Sequence, residues 1–113
     1  MTDLSIIVPV YKEEKNIKPF LERTENVLNK IGKKYEIIFA LDPSKDNTEK
    51  IILEEINRND NIKLITFSRR FGQPSATIAG LHYCTGEACV VIDVDLQDPP
   101  ELIFDMYSKL NSE

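Results

Sequence analysis

Ala88-Cys-Val-Val-Ile-Asp-Val-Asp-Leu-Gln-Asp-Pro-Pro-Glu101 is the stretch that decides the fold. Its opening run, Ala88 to Ile92, is continuously apolar. Such a run fits a strand covered on both faces, as in a parallel sheet between helical layers. The run stops at Ile92, and carboxylates follow at Asp93 and Asp95. The outlet at the carboxyl end of a strand is where an α/β sheet usually takes its ligand. Two acids one residue apart can hold a hard divalent cation whose other ligands are water and phosphate. They also fit as turn residues or helix caps. Asp98 already has that second role, because Asp98-Pro-Pro-Glu101 supplies a capping acid, two prolines for a first turn and a box-closing glutamate. Leu102, Ile103, Met106 and Leu110 then continue as a helical stripe.

Upstream, the same alternation of strand and helix repeats. Leu4 to Val10 is rich in β-branched residues and predicts a first strand, with Pro9 near its end. Asn16 caps a helix whose apolar face is Ile17, Phe20, Leu21, Thr24, Val27, Leu28 and Ile31, and Gly32 ends it. Tyr35 to Leu41 predicts strand two. Asp46 and Glu49 form a capping-box pattern ahead of Ile51, Ile52 and Ile56. Ile62 to Phe67 predicts strand three. After the loop from Ser68 to Ser75, a helix from about Pro74 to Tyr83 carries the small face Ala76, Ala79 and Gly80, which allows close approach to a sheet. Thr85-Gly86 ends it before strand four. Strict alternation of this kind predicts a three-layer, Rossmann-like α/β sheet with four parallel strands.

Composition narrows the classes. The chain has 113 residues, enough for one domain with a moderate core, and a formal net charge of -5. It has no basic tail, which argues against non-specific nucleic-acid binding. Cys84 and Cys89 make neither a disulfide framework nor a metal-ligand spacing, so a reducing, cytoplasmic interior suits them. The start has no basic leader region, and Leu4 to Val10 is too short to span a membrane.

Unusual polar residues gather in the loops after the four strands. They are Tyr11-Lys12-Glu13-Glu14, Asp42-Pro43-Ser44-Lys45-Asp46, Ser68-Arg69-Arg70, and Asp93, Asp95 and Gln97. Right-handed crossovers bring all four loops to one edge of a parallel sheet. The combined inventory suits a nucleotide: a ring partner for the base, acceptors for base and ribose, and metal plus arginine for a diphosphate. Each residue also has a plainer role. Tyr11 fits a rim aromatic, Glu13 and Glu14 fit favourable charges at a helix start, Asp42 an Asx-turn, and Arg69 and Arg70 solvated cations. There is no Gly-rich phosphate loop and no Ser/His/Asp or Cys/His constellation. His82, Cys84 and Cys89 have no partner cluster in the sequence and read as structural.

Four segments together resemble a family 2 glycosyltransferase catalytic domain. They are Ser5-Ile-Ile-Val-Pro-Val-Tyr-Lys-Glu-Glu14, Asp42-Pro-Ser-Lys-Asp-Asn-Thr48, Phe67-Ser-Arg-Arg-Phe-Gly-Gln73 and Gly86 through Glu101. The likeness is to the branch that transfers sugars onto dolichyl or other polyprenyl phosphates. It implies the GT-A nucleotide-diphospho-sugar transferase fold with strand order 3-2-1-4, and an inverting transfer from a nucleoside-diphosphate sugar. By the same resemblance, Pro9, Tyr11 and Glu13 line the base and ribose pocket, and Asp42 helps hold the nucleoside. Asp93 and Asp95 match the Asp-x-Asp signature for Mg²⁺ or Mn²⁺, and Gln97 can join the metal shell.

The chain departs from that pattern in two ways. Leu41-Asp42-Pro43 keeps one acid where the family usually has two, and proline stands for glycine, which restricts the loop's path. The resemblance also covers only the N-terminal half of such a domain, residues 1–113 being its nucleotide-sugar-binding part. Acceptor-side and distal catalytic groups are then expected beyond residue 113, and the full-length protein can associate with a membrane. A strand-four edge without a later partner invites self-association. A nucleotide-binding or regulatory module without catalysis is the competing reading. A nucleotidyltransferase would want a Gly-rich basic first loop in place of Pro9-Val10-Tyr11-Lys12.

Overall fold

All seven residues of β1 (Leu4–Val10) are buried, so this strand lies inside a sheet and not at its rim. A computed structural model describes residues 2–67, 73–92 and 94. In it β1 is followed by α1 (Ile17–Ile31), β2 (Tyr35–Leu41), α2 (Thr48–Arg58), β3 (Ile62–Thr66), α3 (Gln73–Tyr83) and β4 (Ala88–Val91). The sheet order is β3-β2-β1-β4, as the family resemblance implies, with every pairing parallel. Leu4 stands beside Tyr35 on one side and Ala88 on the other. On its outer side β4 has no strand partner among the described residues.

Period-2 alternation sends successive β1 side chains to opposite faces. Leu4, Ile6, Val8 and Val10 join Ile37, Phe39, Leu41, Val90 and Ile92 in the main core, where they meet Ile17, Phe20, Leu21 and Leu28 of α1 and Ile52 of α2. Phe20 packs edge-on against Phe39, with ring centroids 6.1 Å apart. The other face carries Ser5 and Ile7 and receives α3. Gly80 makes that approach possible, because a Cβ there would overlap the Ile7 side chain. Helices on both faces make the three layers.

The helix ends differ in detail from the sequence reading. Gly32 ends α1 as expected, at φ 75° with its N–H donated to Leu28 O. Asn16 occupies the cap position, but its φ/ψ of -101°/-13° is already helical, and its side chain does not cap. Its amide donates instead to Glu13 Oε2 at 2.7 Å. The helix α2 starts at Thr48 after Asn47, so Asp46 and Glu49 do not form a capping box. Glu49 is simply a favourable charge in the first turn. Strands three and four end one residue earlier than the apolar runs, although Phe67 and Ile92 still donate backbone bonds to Leu41 and Ile7. The helix expected from Asp98, with its stripe Leu102, Ile103, Met106 and Leu110, lies outside the described residues.

Candidate nucleotide-binding edge

Because all four strands run the same way, Val10, Leu41, Thr66 and Val91 deliver their chains to one edge of the sheet. The first two loops are tied together there. Asp42 N–H donates to Val10 O at 3.1 Å, carrying the β1–β2 pairing into the loops. Glu13 N–H donates to Thr48 Oγ1 at 2.9 Å, and Asn47 N–H donates to Glu14 Oε2 at 3.2 Å. The Thr48 hydroxyl in turn reaches Asp46 at 2.8 Å, and the Ser44 hydroxyl donates to Asp46 Oδ1 at 2.6 Å. A relay thus runs from the first loop through Thr48 to the second.

Burial opposes the charge on Asp46. Hydrogen bonds from the Ser44 and Thr48 hydroxyls and from the Thr48 and Glu14 backbone outweigh it, and hold the carboxyl below its ordinary value. Asp46 therefore stays an anion that gathers both loops. From the sequence Asp46 reads as a helix cap and as one of the polar residues of the loop after β2. The alternation Ser44-x-Asp46-x-Thr48 is the signal that could have shown the knot, since one acid can gather hydroxyls spaced in this way.

Four of the expected site residues fall among the described ones. Pro9 is buried in β1, in register with Ala40. Tyr11 is half-buried at the rim, with Lys12 Nζ 5.2 Å from its ring centroid. That cation–π contact sits on a turn where Lys12 has φ 54°, a left-handed conformation uncommon for a residue with a side chain. Glu13 is half-buried and takes the Asn16 amide. Asp42, at 2% exposure, is the most buried acid at this edge among the described residues. Tyr11, Glu13 and Asp42 are thus brought to the same end of neighbouring strands.

Arg69, Arg70, Asp93, Asp95 and Gln97 lie outside the described residues. Their chain neighbours do bear on them. The strands β3 and β4 both run toward this edge, and Ile92 and Val94, on either side of position 93, are 4% and 2% exposed within the core. Among the described residues no group of three or more His, Cys, Asp or Glu could hold a metal ion. The expected donor set of two carboxylates and an amide is all oxygen, which suits Mg²⁺ or Mn²⁺ in its chemistry.

Two other polar clusters lie elsewhere. A groove of about 490 Å³ along α1 and α2 holds Arg58 between Glu25 and Glu55, at 2.6 and 2.9 Å, and is a solvated ion-pair cluster. The second is buried near the amino ends of β1 and β2. Glu36, 1% exposed, accepts from Ser5 Oγ, Lys63 Nζ, Thr85 N and Thr85 Oγ1. Burial alone would raise the Glu36 pKa, but these bonds, led by Lys63, bring it down to about 2.

Residues 5–113 match the family model for glycosyl transferase family 2. The chain belongs to that family. It is 46% identical over 105 residues to the glycosyltransferase YkcC of Bacillus subtilis (strain 168), covering 93% of this chain and 32% of the relative. With the glycosyltransferase sll0501 of Synechocystis it shares 43% identity over 107 residues, covering 95% and 34%. The chain thus spans about a third of the length of these curated relatives. The crystal structure of S. aureus TarS 1-349 superposes with a TM-score of 0.76 at 24% identity, over 98% of this chain and 33% of TarS 1-349. The complex of TarS 1-349 with UDP-GlcNAc gives 0.75 at 27% identity, over 98% and 32%. The fold is therefore that of the GT-A glycosyltransferases. No described helix is long and apolar enough to cross a membrane.

Proposed function

We propose that residues 1–113 are the nucleotide-sugar-binding part of an inverting glycosyltransferase that uses a nucleoside-diphosphate sugar, with a polyprenyl phosphate or related acceptor. The observation that carries this reading is the tied pair of loops at the carboxyl edge. There buried Asp42 and rim Tyr11 sit at the ends of adjacent strands in a chain of family 2. The TarS complex with UDP-GlcNAc supports a nucleoside-diphosphate donor and makes uridine the first base to test.

In this reading Tyr11 and Pro9 flank the base, while Glu13 and Asp42 accept hydrogen bonds from base or ribose. Arg69 and Arg70 offer bidentate donors to the diphosphate. Asp93, Asp95 and Gln97 would hold Mg²⁺ or Mn²⁺, which when bound supplies positive charge beside the diphosphate. During transfer an acceptor oxygen forms a bond to the anomeric carbon as the bond to the diphosphate oxygen breaks, with inversion. The electron pair leaves with the nucleoside diphosphate, whose charge Arg69 and Arg70 stabilise. A phosphate oxygen is already ionised at neutral pH, so this acceptor needs little help from a base.

A second proposal concerns residues 1–113 taken by themselves, which span about a third of each curated relative: they bind nucleotide without transferring sugar. A calorimetric series of nucleoside, monophosphate and diphosphate separates the roles. Tyr11→Ala and Asp42→Ala weaken every member of the series, whereas Arg69→Ala and Arg70→Ala penalise the diphosphate most. Unchanged uridine, guanosine and cytidine affinities in the first pair would remove the nucleoside pocket from these residues.

A further inference from the structure

The Sγ atoms of Cys84 and Cys89 lie 2.6 Å apart, although both thiols are free. A disulfide bond measures about 2.05 Å, so closing one needs only a small movement. The turn that brings them together is fixed from three sides. Thr85 donates its N–H and its hydroxyl to Glu36 at 2.6 and 2.9 Å. Gly86 donates its N–H to Ser5 Oγ at 2.8 Å, and a Cβ on Gly86 would collide with the Ser5 and Leu4 backbone. Cys89 itself is locked in β4, in register with Ser5. Cys84 is half-buried and Cys89 exposed, so a small reagent can reach the pair.

We propose that Cys84 and Cys89 are a reversible thiol–disulfide exchange site that takes low-molecular-weight disulfides as its oxidant. The Cys84 sulfur, as thiolate, attacks one sulfur of RSSR, giving a Cys84–S–S–R mixed disulfide and releasing RS⁻, which is protonated to RSH. Cys89 then loses its proton, and its sulfur attacks the Cys84 sulfur and expels the second RS⁻. Overall two protein thiols and RSSR become one protein disulfide and two RSH, with two electrons passing from the cysteines to the reagent. Burial, the neighbouring Cys84 thiol and the negative charge of Glu36 push the Cys89 thiol up to about 11. A raised pKa makes Cys89 a slow first attacker, which suits it to the resolving step. The closed bond would fasten the end of α3 to β4 beside the Glu36 cluster. This does not depend on the nucleotide reading, because the pair lies toward the amino ends of the strands.

The test equilibrates the full chain with graded ratios of reduced to oxidised glutathione, folded and in urea. Acid quenching and alkylation are followed by intact and peptide mass. The folded chain is expected to form one intramolecular Cys84–Cys89 bond, with an effective concentration at least about tenfold above that in urea, a difference of about 30 mV. In Cys89→Ser a glutathione adduct accumulates on Cys84, faster than one forms on Cys89 in Cys84→Ser. Equal effective concentrations folded and unfolded, stable adducts in the wild type, or disulfide-linked dimers in place of the internal bond would overturn the proposal.

Discussion

Replacing Glu36 by glutamine keeps the side chain's shape and removes the charge on which Ser5, Lys63 and Thr85 converge. The carboxyl's pKa is lowered from 4.5 to about 2 in the fold. At about 1.4 kcal/mol per pKa unit, the charged form contributes about 3 kcal/mol of stability at neutral pH. Glutamine can still accept on one atom, but its NH₂ would face a donor now met by a carboxylate oxygen. Lys63 is half exposed, so its charge returns to water and adds little further cost. Glu36→Gln should therefore cost about 3 kcal/mol, a large part of the margin of an ordinary domain. The pH dependence gives a second readout. Since the folded pKa is depressed, the contribution is fully present above pH 4.5 and is lost as pH falls toward 2. Urea unfolding of wild type and variant between pH 7 and 2.5 reads both effects. A loss below about 0.5 kcal/mol, or an identical pH slope across that window, would refute the assignment of Glu36 as an anionic clasp.

Gly80→Ala forces a Cβ against Ile7 and is expected to cost about 1–3 kcal/mol in thermal or urea unfolding, through displacement of α3 from the sheet. Asp46→Ala removes the anion that holds Ser44 and Thr48, so nucleotide affinity should fall more than global stability does. Calorimetry and urea unfolding on the same preparation separate the two. Lys63→Met should cost only about 1 kcal/mol, because its amine is half in water, and a double-mutant cycle with Glu36→Gln measures their coupling.

The sheet was legible because its strands are nearly uninterrupted apolar runs, and each is separated from the next by a helix with a clear face. Leu4–Val10 and Tyr35–Leu41 match the expected bounds residue for residue. The strand order followed from the family resemblance and not from the runs themselves. Local polar chemistry was harder to read. Asn16 and Asp46 look like caps; Asn16 instead donates to Glu13, while Asp46 takes the Thr48 N–H and also gathers the Ser44 and Thr48 hydroxyls. Glu36 reads as a single polar interruption in Tyr35–Leu41. Its partners are 27 to 49 residues away and meet it only when β1, β3 and the α3–β4 turn are in place. Cys84 and Cys89 read from the sequence as structural residues on either side of a glycine turn, and their closeness appears only once that turn is in place. That Tyr11, Glu13 and Asp42 share one edge could be read from position, because the ends of parallel strands lie together.

The central claim is that this edge binds a nucleoside diphosphate with the help of a divalent cation held by Asp93 and Asp95. Titration of UDP in the presence and absence of Mn²⁺ tests it, using wild type, Asp95→Asn, Asp93→Asn and, as a control, Asp98→Ala. The expected result is binding that Mn²⁺ strengthens in wild type, a weaker Mn²⁺ effect in Asp93→Asn and none in Asp95→Asn. Asp98→Ala keeps the full Mn²⁺ effect while losing about 0.5–2 kcal/mol of stability. Affinities that are the same with and without Mn²⁺ in all four proteins would contradict the account.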